Sequence, residues 1–95
     1  MAAYVIFDVN VQDAAGYEKY RRAGSPSVSE YGGKYIVRGG RCEVLEGDWR
    51  PNRIIVLEFE SVDQAKRWYN SPEYQAALPS RLLTAVSKVL VVEGV

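Results

Sequence analysis

IIVLEFESVDQ, Ile54 to Gln64, passes from one kind of structure to another within eleven residues. Ile54 to Glu60 is rich in β-branched and aromatic residues and reads as a strand. Ser61, with Gln64 three positions on, has the spacing of a capping box, and Val62, Ala65 and Tyr69 form the inward stripe of a helix. A strand running straight into a capped helix points to an α+β layer structure.

Working outward, GDWRPNR from Gly47 to Arg53 is a turn, and Gly33 to Leu45 has strand character, so these two strands are expected to pair as a hairpin. Upstream, Ala3 to Val11 alternates Val5, Phe7, Val9 and Val11 against Tyr4, Ile6, Asp8 and Asn10, the period of a first strand. Asp13 is placed to cap a helix carrying Tyr17 and Tyr20, interrupted near Pro26, resuming over Ser27 to Tyr31 and closed by Gly32. Downstream, Ser71-Pro72 starts a short helix ending near Pro79, and Ala85 to Glu93 is the last strand. The order is that of a ferredoxin-like βαββαβ subunit with a four-stranded antiparallel sheet, one domain over residues 1–95.

In that topology both helices cover one face of the sheet. Either parity of the first and third strands leaves apolar residues on the other face, Tyr4 and Ile6 or Val5, Phe7 and Val9, with matching sets after Ile54. A wet face would be more polar. The economical cover is a second copy, in an isologous homodimer with sheet-to-sheet packing that buries on the order of 1,000 Å² or more.

Composition narrows the function. Twelve basic and twelve acidic residues cancel, which leaves no field to recruit nucleic acid or an anionic membrane. The strands carry only Phe59 where an RNA-recognition sheet needs a basic, aromatic platform. The N-terminal MAAYVIFDVNV has no basic leader and is broken by Asp8, so it reads neither as a signal peptide nor as a membrane span. The lone Cys42 cannot form a disulfide within its chain and has no activating neighbour, which suits an inert thiol in a reducing cytoplasm. Histidine is absent, so zinc chemistry and triad hydrolysis are disfavoured and no metal site or cofactor is expected.

YGGKYIVRGG, Tyr31 to Gly40, is not a phosphate loop, because neither glycine pair leads into a helix N-terminus. Gly32-Gly33 reads as helix closure, and Gly39-Gly40 as a bulge or a place of close approach. With Leu45 opposite Arg53, Arg38 falls on the same face as Glu58, Ile54 and Val56. Two readings follow for Arg38: a structural ion pair with Glu58, or an anchor for a ligand's carboxylate or enolate. A bulge at Gly39 moves Arg38 to the other face. Asp8, beside Tyr4 and Ile6, is either a base with a raised pKa or a carboxylate at a solvated strand end. Glu58 is the other candidate base. Tyr20 and Tyr69 are either core or pocket lining, and Trp49, in a turn, is expected to seek a partner surface.

YGGKYIVRGG, VLEGDW, RIIVLEF, SPEYQAA and the closing VVEG together resemble the mostly bacterial family of domain of unknown function 1330, over nearly the whole chain. The resemblance implies a dimeric α/β barrel: ferredoxin-like subunits whose sheets pack face to face. It implies no particular reaction, since kin on this fold range from cofactor-independent monooxygenases and isomerases to haem-handling enzymes and binding modules. Haem ligation through histidine is excluded here. The resemblance also implies a pocket between sheet and helices, which leaves it open whether Arg38 and Asp8 face that pocket or the dimer core. The expected function is binding of a small aromatic or carboxylate-bearing ligand without turnover. The alternative is a cofactor-independent monooxygenase or isomerase acting on a small aromatic or polyketide-like acid, with Asp8 or Glu58 as base and Arg38 holding the enolate.

Overall fold

The computed structural model describes all 95 residues. Its elements are β1 (Ala3–Val11), α1 (Ala14–Glu30), β2 (Lys34–Arg38), β3 (Arg53–Phe59), α2 (Val62–Tyr69), α3 (Pro72–Thr84) and β4 (Ala85–Glu93). The four strands form one antiparallel sheet in the order β2-β3-β1-β4, with β1 central between β3 and β4. This is the ferredoxin-like arrangement, and no helix is long and apolar enough to cross a membrane. The Cα envelope measures 35 × 32 × 16 Å; the short axis has room for one sheet and one layer of helices.

Alternation along β1 decides which side is covered. Val5, Phe7 and Val9 are buried under the helices with Leu57 and Phe59 of β3, whereas Tyr4, Ile6 and Asp8 point the other way. The covered side is an aromatic core: the Trp68 ring lies 4.2 Å from Tyr74 and 5.5 Å from Phe59, centroid to centroid. Trp68 is fully buried, and its indole N–H donates to Ser27 Oγ at 2.9 Å, so its one polar atom is satisfied.

The helix starts follow local chemistry. Asp13 accepts from Gly16 N at 3.1 Å, Ser61 from Gln64 N at 3.0 Å and Ser71 from Tyr74 N at 3.1 Å. Only half of the expected capping box forms at Ser61. The Gln64 amide donates instead to the carbonyl of Tyr31, 2.6 Å away, and ties α2 to the end of α1. At that end Gly32 adopts a φ of 80°, and Gly33 N–H reaches back to the Val28 carbonyl at 2.8 Å, the closure expected of a left-handed residue there.

Two helices outrun their prolines. The sequence suggests an interruption near Pro26 and a stop near Pro79, yet α1 runs unbroken through Pro26 and α3 continues past Pro79 to Thr84. A proline removes one intrahelical hydrogen bond, and here burial beyond it holds the next turn. After Pro26, Ser27 and Val28 are buried, and Ser27 Oγ donates to the Gly24 carbonyl at 2.6 Å. After Pro79, Arg81 and Thr84 are buried, and the Thr84 carbonyl accepts from Gln12 N and Asp13 N at 2.8 and 3.0 Å.

The hairpin differs most from expectation. β2 ends at Arg38 rather than continuing to Leu45, residues 39–52 carry no regular structure, and Leu45 is 93% exposed instead of facing Arg53. Arg53 pairs with Val9 of β1. The β2–β3 ladder closes with Gly39 N–H on the Ile54 carbonyl at 2.8 Å, where Gly39 turns the chain away with a φ of 73°. A register shift between Tyr35 and Val37 sets Val37 opposite Val56 and Arg38 opposite Ile55.

Candidate functional site

That register shift changes the face on which Arg38 stands. Ile55 is a helix-side residue, so Arg38 lies on the covered side and not beside Glu58. The expected Arg38–Glu58 pair therefore does not form. Glu58 instead takes Lys34 at 3.1 Å on the open face.

On the covered side, Arg38 stands at the mouth of a crevice between α1 and the sheet. Its guanidinium carbon is 4.1 Å from the centroid of the Tyr35 ring, a cation–π contact, and its Nη2 is 3.5 Å from Ser25 Oγ. Ser25 Oγ is also bonded to the Tyr35 hydroxyl at 3.1 Å. Arg53 runs along the wall with a buried Nε that has no hydrogen-bond partner. Gly39 lies against it: its φ of 73° is what favours glycine, and a Cβ there would also come within 2.6 Å of the Arg53 guanidinium carbon, the movable end of that side chain. At Gly39-Gly40, then, the neighbour is an arginine side chain and not a backbone or a ligand, and the bulge lies earlier, between Tyr35 and Val37.

The crevice is lined by aromatic and aliphatic groups and three arginines, Arg21, Arg38 and Arg53, with no carboxylate among them. Arg21 is engaged by Glu18 at 3.1 Å, whereas Arg38 and Arg53 have no carboxylate partner. Its enclosed volume is about 20 Å³, room for about one water.

At the inner end the Tyr20 and Tyr74 hydroxyls are 2.8 Å apart. Burial pushes both phenols up, Tyr20 strongly; on Tyr74 the hydrogen bond with Tyr20 and the charge of Arg81 pull back against it. Arg81 is only 3% exposed, lies near the Tyr74 hydroxyl, and has a buried Nε without a partner. Burial opposes its charge, but Tyr74 and Tyr20 more than offset that, and its pKa is raised. Its guanidinium carbon is 5.7 Å from the Phe7 centroid and 5.8 Å from that of Tyr20.

The remaining candidates are dispersed. Asp8 lies on the open face, where Asn52 N–H and Trp49 Nε1–H both donate to it at 2.9 Å. The backbone bond from Asn52, helped by Trp49, holds its carboxyl below the usual range. This is the reverse of the raised pKa expected of a base, because hydrogen bonds to the charged form favour it. Trp49 pins the 39–52 segment to Asp8 and does not enter the crevice. Tyr20 lines the crevice; Tyr69 lines a separate apolar hollow of about 190 Å³ between α2 and β4. No three His, Cys, Asp or Glu side chains gather closely enough to hold a metal ion.

Sequence reasoning overlooked Arg81, Arg53 and Ser25. For Arg81 a signal existed. Tyr74, Ala77, Arg81 and Thr84 recur at helical spacing and are all buried, but a helix ending at Pro79 hides that stripe.

The family of domain of unknown function DUF1330 matches residues 2–95. The chain belongs to that family. No functionally curated protein is significantly similar to it in sequence. Among solved structures it is similar to a protein of unknown function from Rhodopseudomonas palustris, with TM-score 0.78, 21% identity, and coverage of 99% of this chain and 82% of that one. A dimeric protein of unknown function with a ferredoxin-like fold from Bacteroides fragilis matches with TM-score 0.65 and 14% identity over 98% and 96% of the two chains. SnoaB, a cofactor-independent oxygenase from Streptomyces nogalater, matches with TM-score 0.62 and 11% identity over 99% and 91%. At these identities the likeness is one of fold. It places this DUF1330 member among ferredoxin-like proteins.

Proposed function

We propose that this DUF1330 protein is a cytoplasmic homodimer that binds a small, flat organic anion in the crevice between α1 and the sheet, without turning it over. The observation that carries this reading is an aromatic-lined cleft holding Arg38 and Arg53 and no carboxylate. Such a cleft attracts a planar ligand by its rings and an acid group by its guanidinium forks. The enclosed space is too small for a ring, so the ligand enters by moving a wall. β2 is that wall, an edge strand of five residues, mostly exposed, whose Tyr35 and Arg38 close the mouth.

The dimer rests on the open face of the sheet. Val86, Leu90 and Val92 are exposed there beside the half-buried Ile6, Ile54 and Val56, a contiguous apolar patch of the kind that marks a protein interface. The Bacteroides fragilis relative is described as dimeric with this fold.

Binding without turnover is preferred to oxygenation or isomerisation because both candidate bases lie on the other side of the sheet. Asp8 is held as an anion by Asn52 and Trp49, and Glu58 is paired with Lys34. Cofactor-free oxygenation, as in SnoaB, would then need a substrate acidic enough to arrive deprotonated.

Thermal shift with benzoate and 2-naphthoate tests the reading. Either compound should raise the melting temperature at millimolar concentration. Arg38→Ala should weaken binding by about tenfold or more, since a hydrogen bond to a charged group contributes roughly 1.5–3 kcal/mol. No shift with either acid, or equal shifts in the variant, would count against it.

A further inference from the structure

Arg81 is the one buried charge in the subunit that the binding reading leaves unused. A guanidinium that is 3% exposed, with no carboxylate within ion-pair distance and an unpartnered Nε, is costly to a fold unless something compensates it. The Phe7 and Tyr20 rings supply part of that compensation. The rest faces the Tyr20–Tyr74 pair, which separates Arg81 from the crevice.

The charge bears on the pair. A guanidinium only donates, so the Tyr74 oxygen can serve only as its acceptor, and the bond of 2.8 Å between the two phenols, open to either direction, can then run from Tyr74 to Tyr20. In that arrangement Tyr74 donates to Tyr20, and the Tyr20 hydrogen is left to point into the crevice that both tyrosines line. Each donor polarises the next. Resting on the binding reading above, we propose that Arg81, acting through Tyr74 and Tyr20, makes the inner end of the crevice an oxyanion site that selects ligands with an acidic phenol or enol and holds them as the anion. A single oxygen suits this end because it offers hydroxyl donors, whereas the planar fork of Arg38 at the mouth suits a carboxylate. On binding, the ligand's hydroxyl proton goes to solvent and its oxygen accepts from Tyr20.

The charged and titratable groups around this end are Tyr17, Tyr20 and Arg21 from α1, Tyr35 from β2, Arg53 from β3, Tyr69 from α2, and Tyr74 and Arg81 from α3. No carboxylate is among them, so any field they exert at neutral pH favours an anion.

The probe is 4-nitrophenol, whose ionisation near neutrality is read by absorbance, with 4-nitroanisole as the ring lacking an acidic hydroxyl. The wild-type protein should lower the apparent pKa of bound 4-nitrophenol by about one unit, a tenfold preference for the anion. It should bind 4-nitroanisole at least about tenfold more weakly than 4-nitrophenolate. Arg81→Met and Tyr74→Phe should each abolish the shift, while Arg81→Lys keeps part of it. Should Arg81→Met not fold, Tyr74→Phe and Tyr20→Phe decide the matter. A bound probe with an unshifted or raised pKa, or a shift intact in the Tyr74 and Tyr20 variants, overturns the proposal. Binding of benzoate but not of 4-nitrophenol also overturns it and leaves the binding reading standing; binding of neither overturns both.

Discussion

The two faces of this sheet are built from interleaved residues of the same strands, and both are oily. Val5, Phe7 and Val9 on one side answer Tyr4 and Ile6 on the other, and Ile55, Leu57 and Phe59 answer Ile54 and Val56. On the helix side α1, α2 and α3 seal the surface with rings, and the charges that enter, Arg38, Arg53 and Arg81, have no carboxylate partner. On the open side no element covers the centre, and the carboxylates are engaged: Asp8 by Trp49 and Asn52, Glu58 by Lys34. Cations without a carboxylate partner, from Arg38 at the exposed mouth to the buried Arg81, are suited to receiving an anion, whereas paired charges around an apolar centre are suited to docking another protein surface.

The comparison can be broken most forcefully on the helix side. Trp68→Ala removes a fully buried ring and leaves Ser27 without its indole donor. It should cost roughly 3–5 kcal/mol, read as a lower denaturant midpoint, and should disorder the crevice wall. A loss below about 1 kcal/mol would mean that the aromatic cluster is not the core.

On the open side, Ile6→Asp sets a carboxylate opposite Val56 and Leu90 without touching the helix-side core. Burying an unpaired charge in a dimer interface costs on the order of 3 kcal/mol or more, so the dimer should weaken by at least about a hundredfold while circular dichroism stays that of a folded subunit. Sedimentation at micromolar protein checks this. A wild-type protein that already sediments as a monomer would refute sheet-to-sheet pairing.

The smallest effect belongs to the rim. Asp8→Ala frees Trp49 and Asn52 and should lower stability by at most about 1 kcal/mol, because both bonds are exposed to water. Asp8 has its pKa lowered in the folded state, so its contribution is fully present above the unfolded value of about 3.9 and is lost as pH falls through the folded value. The melting-temperature gap between wild type and variant should therefore close in acid. A gap independent of pH would show that the carboxylate's charge is not what pins the segment.

Much of the fold was legible because its signals are local. Asp13, Ser61 and Ser71 cap helices through bonds to residues three positions on, and β4 spans Ala85 to Glu93, the expected last strand. Less of the candidate site was. Tyr20, a candidate from the sequence, lines the crevice, and Arg38 does so from the face that only a bulged strand gives it. A shift of one residue between Tyr35 and Val37 carries every later side chain of β2 across the sheet. Arg81 stayed hidden because Pro79 reads as a stop, and only the burial of the turn beyond it keeps the helix going.

By itself the sequence determined the order of elements, the helix starts and the apolar character of both faces of the sheet, since these follow from spacing and from hydrogen bonds within a few residues. Tertiary structure decided the rest: which side Arg38 occupies, where β2 stops, and that Arg81 comes to lie behind the tyrosine pair. Those outcomes depend on ladder bonds and burial between segments far apart in the chain, and no local pattern records that geometry.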